Sequence, residues 1–354
     1  MAVLKTKSYH VYIDESLDLF YEKLELLEAS SVFVLVDENT LQHCLPILAD
    51  LDGKYKLFII QITSGEENKT LDTCRYIWTR LSELGGDRKS VLINLGGGVI
   101  GDMGGFAASC YMRGIRFIQV PTSLLSQVDA SVGSKLGVDF NGAKNMIGVF
   151  NDPEFVFIHS PFLKTLPNRQ LRSGYAETIK HALIYDRHLW ETLKPINELN
   201  KTDSWAENIL KSVSIKNTIV NQDPYENSIR KILNFGHTIG HAIESSYLNR
   251  PAPLLHGEAI ILGMLVESYI SVKLNLLDPE AFNAIESFLK TEYSDLFQLA
   301  FNASEIFSYL KFDKKKFGES ILFALIDSIG STRYDIEIPD TLIREALNNT
   351  LRLS

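Results

Sequence analysis

Apolar runs bounded by polar turn residues recur through the first half of the chain. SVFVLVDENT (31–40), KLFIIQIT (56–63), SVLINLGGG (90–98) and IRFIQVPTSL (115–124) are rich in β-branched residues, which is typical of buried strands. LDTCRYIWTRLSEL, between the second and third runs, has the apolar spacing of a helix. Strand, helix and strand in this order predict a parallel β-sheet.

After about residue 150 the dominant period changes to that of helices. Most segments from RSGYAETIKHALI (172–184) to REALN (344–348) repeat their apolar residues at helical spacing. We therefore predict an α/β N-terminal domain over residues 1–155 and a mainly α-helical C-terminal domain over residues 156–354.

The composition is that of a globular chain without a broad cationic surface. Of 354 residues, 45% are hydrophobic and 22% charged, and the net charge is −9, which excludes a disordered chain and disfavours nucleic-acid binding. The three cysteines, Cys44, Cys74 and Cys110, form no CxxC pair, as expected of a reducing compartment such as the cytoplasm. We expect no membrane partner, because the sequence has no signal core and no uninterrupted apolar stretch of roughly 18 residues.

A glycine-rich turn follows the strand predicted at 90–98. LINLGGGVIGDMGGFAA places Gly96, Gly98 and Gly101 in a GxGxxG arrangement before a predicted helix, where backbone N–H groups can hold a phosphate. A tight turn that needs glycine for its backbone is the alternative. A usual dinucleotide fold would begin nearer the N-terminus, so Asp37, after an earlier strand, is the better candidate for the ribose hydroxyls. These features predict nucleotide binding on a different α/β layout.

Two histidines four positions apart lie in NFGHTIGHAIE (234–244), and a third, His256, follows in LLHGEAI. On one continuous helix, Arg230, Asn234, His237 and His241 would share a face. A stripe of this composition suggests the wall of a polar cleft. Each histidine taken singly could also be an ordinary hydrogen-bonded residue of a helix.

A carboxylate would be needed to complete a mixed metal site with these histidines. Thr238 stands where an HExxH metalloprotease has its glutamate, so hydrolytic zinc chemistry of that kind is disfavoured. SGYAETIKHALI offers Glu177, with Lys180 three positions further on. Such a pair is most often a solvated ion pair, so these residues alone leave both interpretations open.

Five motifs follow one another along the chain: GGGVIGDMGGFAASCYMRGIRFIQVPTSLLSQVDASVGSKLGVDFNGAKNMIG, GYAETIKHALI, LNFGHTIGHAIE, LLHGEAIILGM and DKKKFG. In this order they resemble the 3-dehydroquinate synthase family of sugar-phosphate cyclases, and the resemblance spans residues 31–330. It implies an NAD-binding α/β nucleotide-binding domain and a helical metal-binding domain that holds a divalent ion, zinc or alternatively cobalt. It assigns the metal to Glu177, His237 and His256, and it leaves His241 beside the substrate.

The resemblance also implies which residues meet the cofactor and the substrate. The NAD site would contain Asp37, Asn39, Glu66, Lys69, Gly97, Gly98, Asp102, Thr122, Ser123, Leu125, Lys135, Lys144, Phe162, Thr165 and Leu166. The substrate's phosphate and carboxylate would be met by Arg113, Lys135, Asn145, Lys180, Lys216, Arg230, Asn234 and Lys314. Asp129 and Glu226 match further active-site positions. The family counterpart of Arg113 reaches in from a partner subunit, which implies a homodimer.

The chain departs from the family pattern in two places. Ser134 and Leu136 flank Lys135 where the family more often has Gly and Thr, and the segment NRPAP (249–253) is additional before His256. Neither departure removes a chemical group. We therefore expect an altered loop with activity intact.

The implied activity converts 3-deoxy-D-arabino-heptulosonate 7-phosphate to 3-dehydroquinate and phosphate, a step of the shikimate pathway. It proceeds by transient oxidation with NAD, phosphate elimination, reduction and intramolecular aldol closure. One alternative is a related cyclase of the amino-dehydroquinate or sedoheptulose 7-phosphate type. Others are a metal-dependent alcohol dehydrogenase of the glycerol dehydrogenase type and a catalytically silent NAD-binding scaffold protein.

Overall fold

The apolar runs of the first half of the chain become strands of one sheet in the computed structural model. The sheet has the order β1-β2-β9-β6-β5-β3-β4. Its strands are β1 (Ala2–Lys5), β2 (His10–Ile13), β3 (Val32–Val36), β4 (Leu57–Gln61), β5 (Val91–Gly96), β6 (Arg116–Pro121) and β9 (Phe155–Ile158), while β7 (Lys135–Phe140) and β8 (Ala143–Phe150) form a separate antiparallel hairpin. β1 pairs with β2 antiparallel, and every other neighbouring pair in the sheet is parallel.

Both faces of the middle of this sheet are covered, which explains why β3, β5, β6 and β9 are buried along almost their whole length and do not alternate. Phe33 and Leu35 of β3 belong to one buried cluster, while Val32, Val34 and Val36 belong to another. The helices that accompany the sheet in the chain are α1 (Asp18–Glu25), α2 (Glu38–His43), α3 (Leu71–Glu83) and α4 (Gly98–Cys110).

The second half of the chain is mainly helical, with one antiparallel hairpin. Its helices are α5 (Asn168–Tyr185), α6 (Arg187–Glu191), α7 (Ile196–Thr202), α8 (Trp205–Gln222), α9 (His237–Tyr247), α10 (His256–Lys273), α11 (Pro279–Glu292), α12 (Ala303–Phe317) and α13 (Asp340–Thr350), and the hairpin strands are β10 (Leu322–Ser328) and β11 (Ser331–Glu337). The predicted fold class, an α/β part followed by a mainly α-helical part, is confirmed.

The chain divides into two compact units, residues 1–171 with 205–217, and residues 172–204 with 218–354. The structure describes all residues except 52, 142, 203, 204, 249, 318–320 and 354, and the side chains of residues 201, 202 and 311–317 also lie outside the description. The contact division thus puts residues 156–171 and 205–217 with the sheet. The boundary predicted from the sequence, between residues 155 and 156, separates a cofactor-binding domain from a metal-binding domain. It stays a prediction, because the compact units are defined by contacts and not by function.

α10 is the central helix of the second unit and is apolar on nearly all sides. α9, α11, α13 and β10 all pack against it, and most of its residues are buried. A helix that is surrounded in this way needs no polar face. Among the described residues, no helix has the length and hydropathy that crossing a membrane would require.

The contact between α9 and α10 depends on glycine. A Cβ added to Gly263 would lie 2.0 Å from Gly236 O and 2.7 Å from Gly240 N, so the two backbones approach too closely for any larger residue. Gly236 precedes α9 with a φ of 78°, a left-handed conformation that glycine adopts without strain. The start of α9, where His237 lies, is thereby fixed against α10.

The buried carboxyl group of Glu267 on α10 reinforces this arrangement. Its two oxygens accept hydrogen bonds from Gly236 N at 2.6 Å and Ile239 N at 3.0 Å. These N–H groups belong to the first turn of α9, where no intrahelical acceptor exists. Glu267 thus takes the part of an N-cap side chain that the sequence before α9 does not provide.

Candidate active site

In the first unit, the residues expected to bind NAD cluster after the carboxyl ends of parallel strands. Asp37 follows β3, Glu66 and Lys69 follow β4, and Gly97 follows β5. Further along, Thr122, Ser123 and Leu125 follow β6, and Phe162, Thr165 and Leu166 follow β9. Because the carboxyl ends of parallel strands share one edge of a sheet, these residues lie along that edge, where α/β folds bind their ligands.

The glycine-rich turn connects β5 to α4 as the sequence predicted. Gly97 is the residue before the helix and offers no side-chain cap to its first N–H groups. A small cleft lies at this turn and is lined in part by Gly96, Gly98 and Ser126. A Cβ on Gly97 would lie 3.3 Å from Ser123 Oγ, so glycine leaves the turn open. Free N–H groups and an open backbone are what a pyrophosphate needs, and the turn fits that part of NAD.

Lys69 joins residues that the sequence assigned to different ligands. Its buried ammonium lies 2.7 Å from Asp102 Oδ2, donates to Asn145 Oδ1 at 2.6 Å and lies 3.9 Å from Glu66 Oε1. Burial lowers the pKa of Lys69, but the carboxylates of Asp102 and Glu66 outweigh it and raise that pKa above its usual range. Lys69 is therefore a cation at neutral pH, and the structure brings together Glu66, Lys69, Asp102 and Asn145.

Asp129 and Lys216 form a second ion pair in the first unit, in which Lys216 is buried and Asp129 is partly buried. Lys216 Nζ lies 2.8 Å from Asp129 Oδ1 and donates to Asp129 O at 2.6 Å. Asp129 belongs to a single π turn, Ser126–Ala130, and such turns occur often at functional sites. No sequence pattern predicted the π turn, although the resemblance did assign both residues to the site.

The remaining candidates of the first unit are placed with fewer described contacts. Asp37 accepts from Thr40 N at 2.7 Å in a capping box at the start of α2, and Phe162 is buried. Asn39, Lys135, Lys144 and Thr165 are exposed. Ser134, which departs from the family pattern, has a φ of 61°, a backbone conformation that suits the glycine more often found there.

Arg113 lies in a strained, exposed loop after α4. Met112 has a φ of 50° and Arg113 a φ of 67°, and Gly114 follows with a φ of 112°. Consecutive left-handed residues other than glycine are uncommon and tend to occur where a backbone serves a functional purpose. The loop presents Arg113 to the outside of the protomer.

In the second unit, Glu177 and Lys180 lie one turn apart on α5 and are both fully buried. They form an ion pair through Glu177 Oε2 and Lys180 Nζ. The solvated ion pair that the sequence allowed as an alternative is therefore not what the structure contains. Burial of a charged pair is expensive, so a pair at this depth is more typical of a binding site than of a protein surface.

The two histidines expected to bind metal approach the same oxygen of Glu177. His237 Nε2 and His256 Nε2 each lie 3.7 Å from Glu177 Oε1. Ligand atoms bound about 2.0–2.2 Å from one zinc ion are roughly 3.3–3.6 Å apart in tetrahedral geometry. Each imidazole nitrogen lies at nearly this spacing from the carboxylate oxygen, and two imidazoles with one carboxylate suit a divalent ion such as Zn²⁺ or Co²⁺.

His241 lies beside these histidines. Its ring centroid is 5.1 Å from that of His237 and 5.7 Å from that of His256, and one nitrogen from each of the three rings lies within 4.8 Å of the others. His241 is exposed, whereas His237 and His256 are partly buried. Its role beside the metal, as distinct from that of a ligand, stays a prediction.

The electrostatic surroundings differ between His237 and His256. Burial and the Lys180 ammonium lower the pKa of His237 well below its usual range. Burial also lowers the pKa of His256, but the carboxylates of Glu177 and Glu244 outweigh it and raise that pKa to about 9. A neutral imidazole is the form that binds metal, so His237 is ready to bind and His256 must lose a proton.

The prediction that one continuous helix carries Arg230, Asn234, His237 and His241 is wrong. Residues Ile229–Asn234 form a 3-10 helix, and α9 begins only at His237. The left-handed Gly236 separates the two segments, because an α-helix cannot continue through a residue with positive φ. His237 and His241 do share a face of α9, as residues four apart must.

Arg230 and Asn234 are held by the loop before them. The buried Arg230 donates through Nη1 to Pro224 O and through its backbone N–H to Asp223 Oδ2 at 3.1 Å. Asn234 Nδ2 donates to Glu226 Oε1 at 2.8 Å. Asn234 and Glu226, both predicted site residues, are therefore hydrogen-bonded to each other. Lys314 falls on α12, among the residues whose side chains lie outside the described part of the chain.

Comparison with known proteins gives matches over most of the chain. The family model described as 3-dehydroquinate synthase N-terminal matches residues 59–173, and that described as 3-dehydroquinate synthase C-terminal matches residues 174–316. A 3-dehydroquinate synthase from Parabacteroides distasonis is 39% identical over 326 residues, which cover 92% of this chain and 92% of that protein.

Two solved structures of cyclases are similar to this chain over nearly its whole length. A 2-deoxy-scyllo-inosose synthase complexed with carbaglucose-6-phosphate, NAD⁺ and Co²⁺ has a TM-score of 0.87 and 26% identity, covering 99% of this chain and 100% of that chain. A 2-epi-5-epi-valiolone synthase from Streptomyces hygroscopicus with NAD⁺ and Zn²⁺ bound has a TM-score of 0.85, 24% identity and coverage of 99% and 98%.

Proposed function

Because this chain belongs to the 3-dehydroquinate synthase family, we propose that it is an enzyme with that family's activity. It converts 3-deoxy-D-arabino-heptulosonate 7-phosphate to 3-dehydroquinate and phosphate, a step of the shikimate pathway, with NAD and a divalent metal. The observation that carries the proposal is the approach of His237 Nε2 and His256 Nε2 to one oxygen of the buried Glu177.

The bound groups supply chemistry that side chains lack, since NAD takes and returns a hydride and the metal acts as a Lewis acid on hydroxyl oxygens. The chain would hold the metal with Glu177, His237 and His256. It would hold NAD along the carboxyl edge of the sheet, with the pyrophosphate at the start of α4. The open glycine turn and the distance of Glu177 Oε1 from each of the two imidazole nitrogens support these assignments.

The chain's own charged residues suit a small anion that carries both phosphate and carboxylate. Lys180, Lys216 and Arg230 are all buried cations, and buried cations bind anions more strongly than exposed ones do. In a chain with net charge −9, such cations are needed to hold a phosphate locally. The exposed imidazole of His241 could exchange a proton with a substrate hydroxyl near neutral pH.

Sequence identity favours the dehydroquinate reaction over that of other sugar-phosphate cyclases. Relatives named 3-dehydroquinate synthase are 37–41% identical to this chain, whereas the two cyclase structures of other specificity are 26% and 24% identical. The substrates of the other cyclases therefore serve as negative controls in the activity assay.

The proposal includes a homodimer in the cytoplasm. Strained backbone presents Arg113 on an exposed loop, as a residue that enters a partner's site would require. The cysteines Cys44, Cys74 and Cys110 are all free thiols, which suits a reducing compartment. The proposed substrate is a small molecule, and no nucleic acid or membrane partner is included.

The test is to incubate the purified chain with the heptulosonate phosphate, NAD and Zn²⁺, and to identify the product by mass spectrometry while phosphate release is recorded. We expect 3-dehydroquinate and phosphate in equal amounts. Sedoheptulose 7-phosphate and the amino analogue should release little phosphate. A His237→Ala variant serves as the inactive control, and phosphate release from sedoheptulose 7-phosphate alone would contradict the proposal.

The same assay tests whether NAD is a catalyst that is regenerated in each cycle. Substrate and products are at the same overall oxidation level, so the hydride must return before the product leaves. We expect many turnovers per NAD and no accumulation of absorbance from reduced cofactor. NADH formed in proportion to released phosphate would indicate a simple dehydrogenase.

A further inference from the structure

Each of the two metal-binding imidazoles is oriented through its second nitrogen. His237 turns Nε2 to Glu177 and places Nδ1 3.1 Å from Phe235 O. His256 turns Nε2 to the same oxygen of Glu177 and places Nδ1 3.5 Å from Glu244 Oε2. Both rings therefore direct Nε2 to the proposed metal and Nδ1 to an oxygen acceptor. An acceptor at Nδ1 keeps the proton on that nitrogen and leaves Nε2 free to coordinate.

Glu244 reaches this position because of its place on α9. It lies seven residues after His237 and three after His241, so all three share one face of the helix. Its carboxylate is largely buried, with 8% of the side chain exposed. A buried carboxylate is costly unless it meets a charge or a donor, and the imidazole of His256 is one such donor.

The two acceptors differ in charge. The carbonyl of Phe235 is neutral, whereas Glu244 offers a carboxylate. A carboxylate behind a ligating imidazole makes the ring a stronger electron donor to the metal and fixes its orientation more firmly than a carbonyl does. His256 directly follows residues 250–255, which form neither helix nor strand, and no backbone carbonyl is described at its Nδ1.

We propose that Glu244 is a positioning residue that orients His256 for metal binding. The inference rests on the proposed function, since it takes Glu177, His237 and His256 as the ligands. In this assignment α9 provides one metal ligand, His237, and also Glu244, which orients a second ligand, His256. Glu244 approaches Nδ1 of His256 and not the Nε2 that would bind the metal, so its contribution acts through the ring of His256.

The test measures metal affinity and does not depend on turnover. The full chain is stripped with a chelator, and Zn²⁺ binding is measured by competition with a chromophoric chelator for wild type, Glu244→Gln and Glu244→Ala. Glu244→Ala should raise the Zn²⁺ dissociation constant about 10–100-fold. Glu244→Gln keeps an oxygen acceptor but loses the charge, so it should show a smaller increase and a shifted Co²⁺ absorption spectrum.

Ser246→Ala on the same helix is the matched control. Ser246 is buried and donates to Ile243 O at 2.8 Å, so its loss removes a polar contact of α9 that is not directed at His256. This variant should bind Zn²⁺ as wild type does. Circular dichroism establishes that each variant is folded, and if Glu244→Ala does not fold, Glu244→Gln decides.

The outcomes separate this inference from the proposed function. If wild type binds no Zn²⁺, the metal site and the proposed function both fail. If wild type binds Zn²⁺ and folded Glu244→Gln matches it in both affinity and Co²⁺ spectrum, only the role of Glu244 is overturned. Equal weakening in Ser246→Ala would also overturn it, because the effect would then belong to the helix as a whole.

Discussion

Lys69 is the residue with the most described connections in the first unit's site. A buried ammonium loses its hydration, and it is stabilised only by the groups that replace water. Here the replacements are Asp102 and Asn145, from two other parts of the chain. Lys69 therefore holds α4 and the β7–β8 hairpin at fixed positions relative to the segment after β4.

Replacement of Lys69 by Met should destabilise the protein and weaken NAD binding. Loss of the ammonium leaves Asp102 and Asn145 without their shared donor, which should lower the free energy of unfolding by about 1–3 kcal/mol. Urea unfolding and NAD titration measure the two effects. In the Lys69→Met, Asp102→Asn double variant, part of the stability should return, because the carboxylate charge is gone. Strictly additive losses would contradict the pairing.

The sequence assigned single residues to the site through motifs, but it did not predict their contacts with one another. By resemblance, Lys69 and Asp102 were assigned to NAD and Asn145 to the substrate, and these assignments stay predictions. Their shared hydrogen bonds join positions 33 and 76 residues apart, and no local pattern encodes such a separation. The position of Glu244 near the histidines could have been predicted, because it lies seven residues after His237 and so on the same face of a helix. The resemblance assigned only the ligands and did not include it.

At the scale of elements, α9 and α10 each begin with a proposed ligand. His237 is the first residue of α9 and His256 the first of α10. The positive end of a helix dipole disfavours a charged imidazole. At His237 this acts in the same direction as burial, whereas at His256 the carboxylates of Glu177 and Glu244 outweigh it and raise the pKa. The distance between the ligands then depends on how closely the two helices pack.

Gly263→Ala should force α9 and α10 apart. The new Cβ would overlap Gly236 O and Gly240 N, and overpacking of this kind costs about 1–3 kcal/mol. In a helix position without such a clash, replacing glycine by alanine would instead raise the free energy of unfolding by about 0.5–1 kcal/mol. Chemical denaturation measures the stability, and chelator competition measures the expected loss of Zn²⁺ affinity.

Ser268→Ala on α10 is the control for this substitution. Ser268 is fully buried, and its hydroxyl has no hydrogen-bond partner in the described part of the protein. Its removal should leave stability unchanged or slightly higher, since no bond is lost. If Gly263→Ala were as stable as this control, the close approach of the two backbones would be refuted.

Glu267 should make the stability of the α9–α10 pair depend on pH. Burial raises the pKa of Glu267 to about 8, although hydrogen bonds from Ile239, Gly236 and Thr238 oppose the shift. In the unfolded chain the pKa is close to 4.5. The folded state therefore binds the proton more tightly, and the stability that this proton contributes is complete below pH 4.5 and is lost as pH rises to 8.

Glu267→Gln removes this titration. The stability advantage of wild type over Glu267→Gln should therefore be largest near pH 5 and should shrink towards pH 8, by up to about 1.4 kcal/mol per pH unit. Urea unfolding of both proteins across that range measures it. A difference that stays constant or grows with pH would show that Glu267 is ionised throughout.

The sequence predicted the strands and the type of each half more reliably than the helix ends. Long apolar runs on a sheet covered on both faces leave little ambiguity, so β3, β5 and β6 lie where the pattern put them. The break between Asn234 and His237 was missed because an apolar pattern at helical spacing continues across it. Gly236 was the available signal, and its positive φ is decided by the packing of α9 on α10.

At the scale of the whole molecule, the proposed homodimer can be tested by complementation. Arg113→Ala and His241→Ala should each be inactive alone. If Arg113 serves the partner's site, each mixed dimer contains one site with both groups intact, and full exchange should restore about a quarter of wild-type activity. Mass spectrometry of intact complexes checks the exchange. No recovery after confirmed exchange would place Arg113 in its own protomer's site or in none.

The first unit takes residues 205–217 from beyond residues 172–204, and this has a consequence for biosynthesis. A ribosome delivers the chain from its N-terminus, and domains generally fold as units during synthesis. Lys216, whose ammonium pairs with Asp129, is translated only after the whole of residues 172–204. The nascent first unit therefore lacks this ion pair until that segment has been synthesised. A chain cut after residue 171 would lack that partner at any length of incubation, so the α/β unit should not be obtainable as a simple N-terminal fragment.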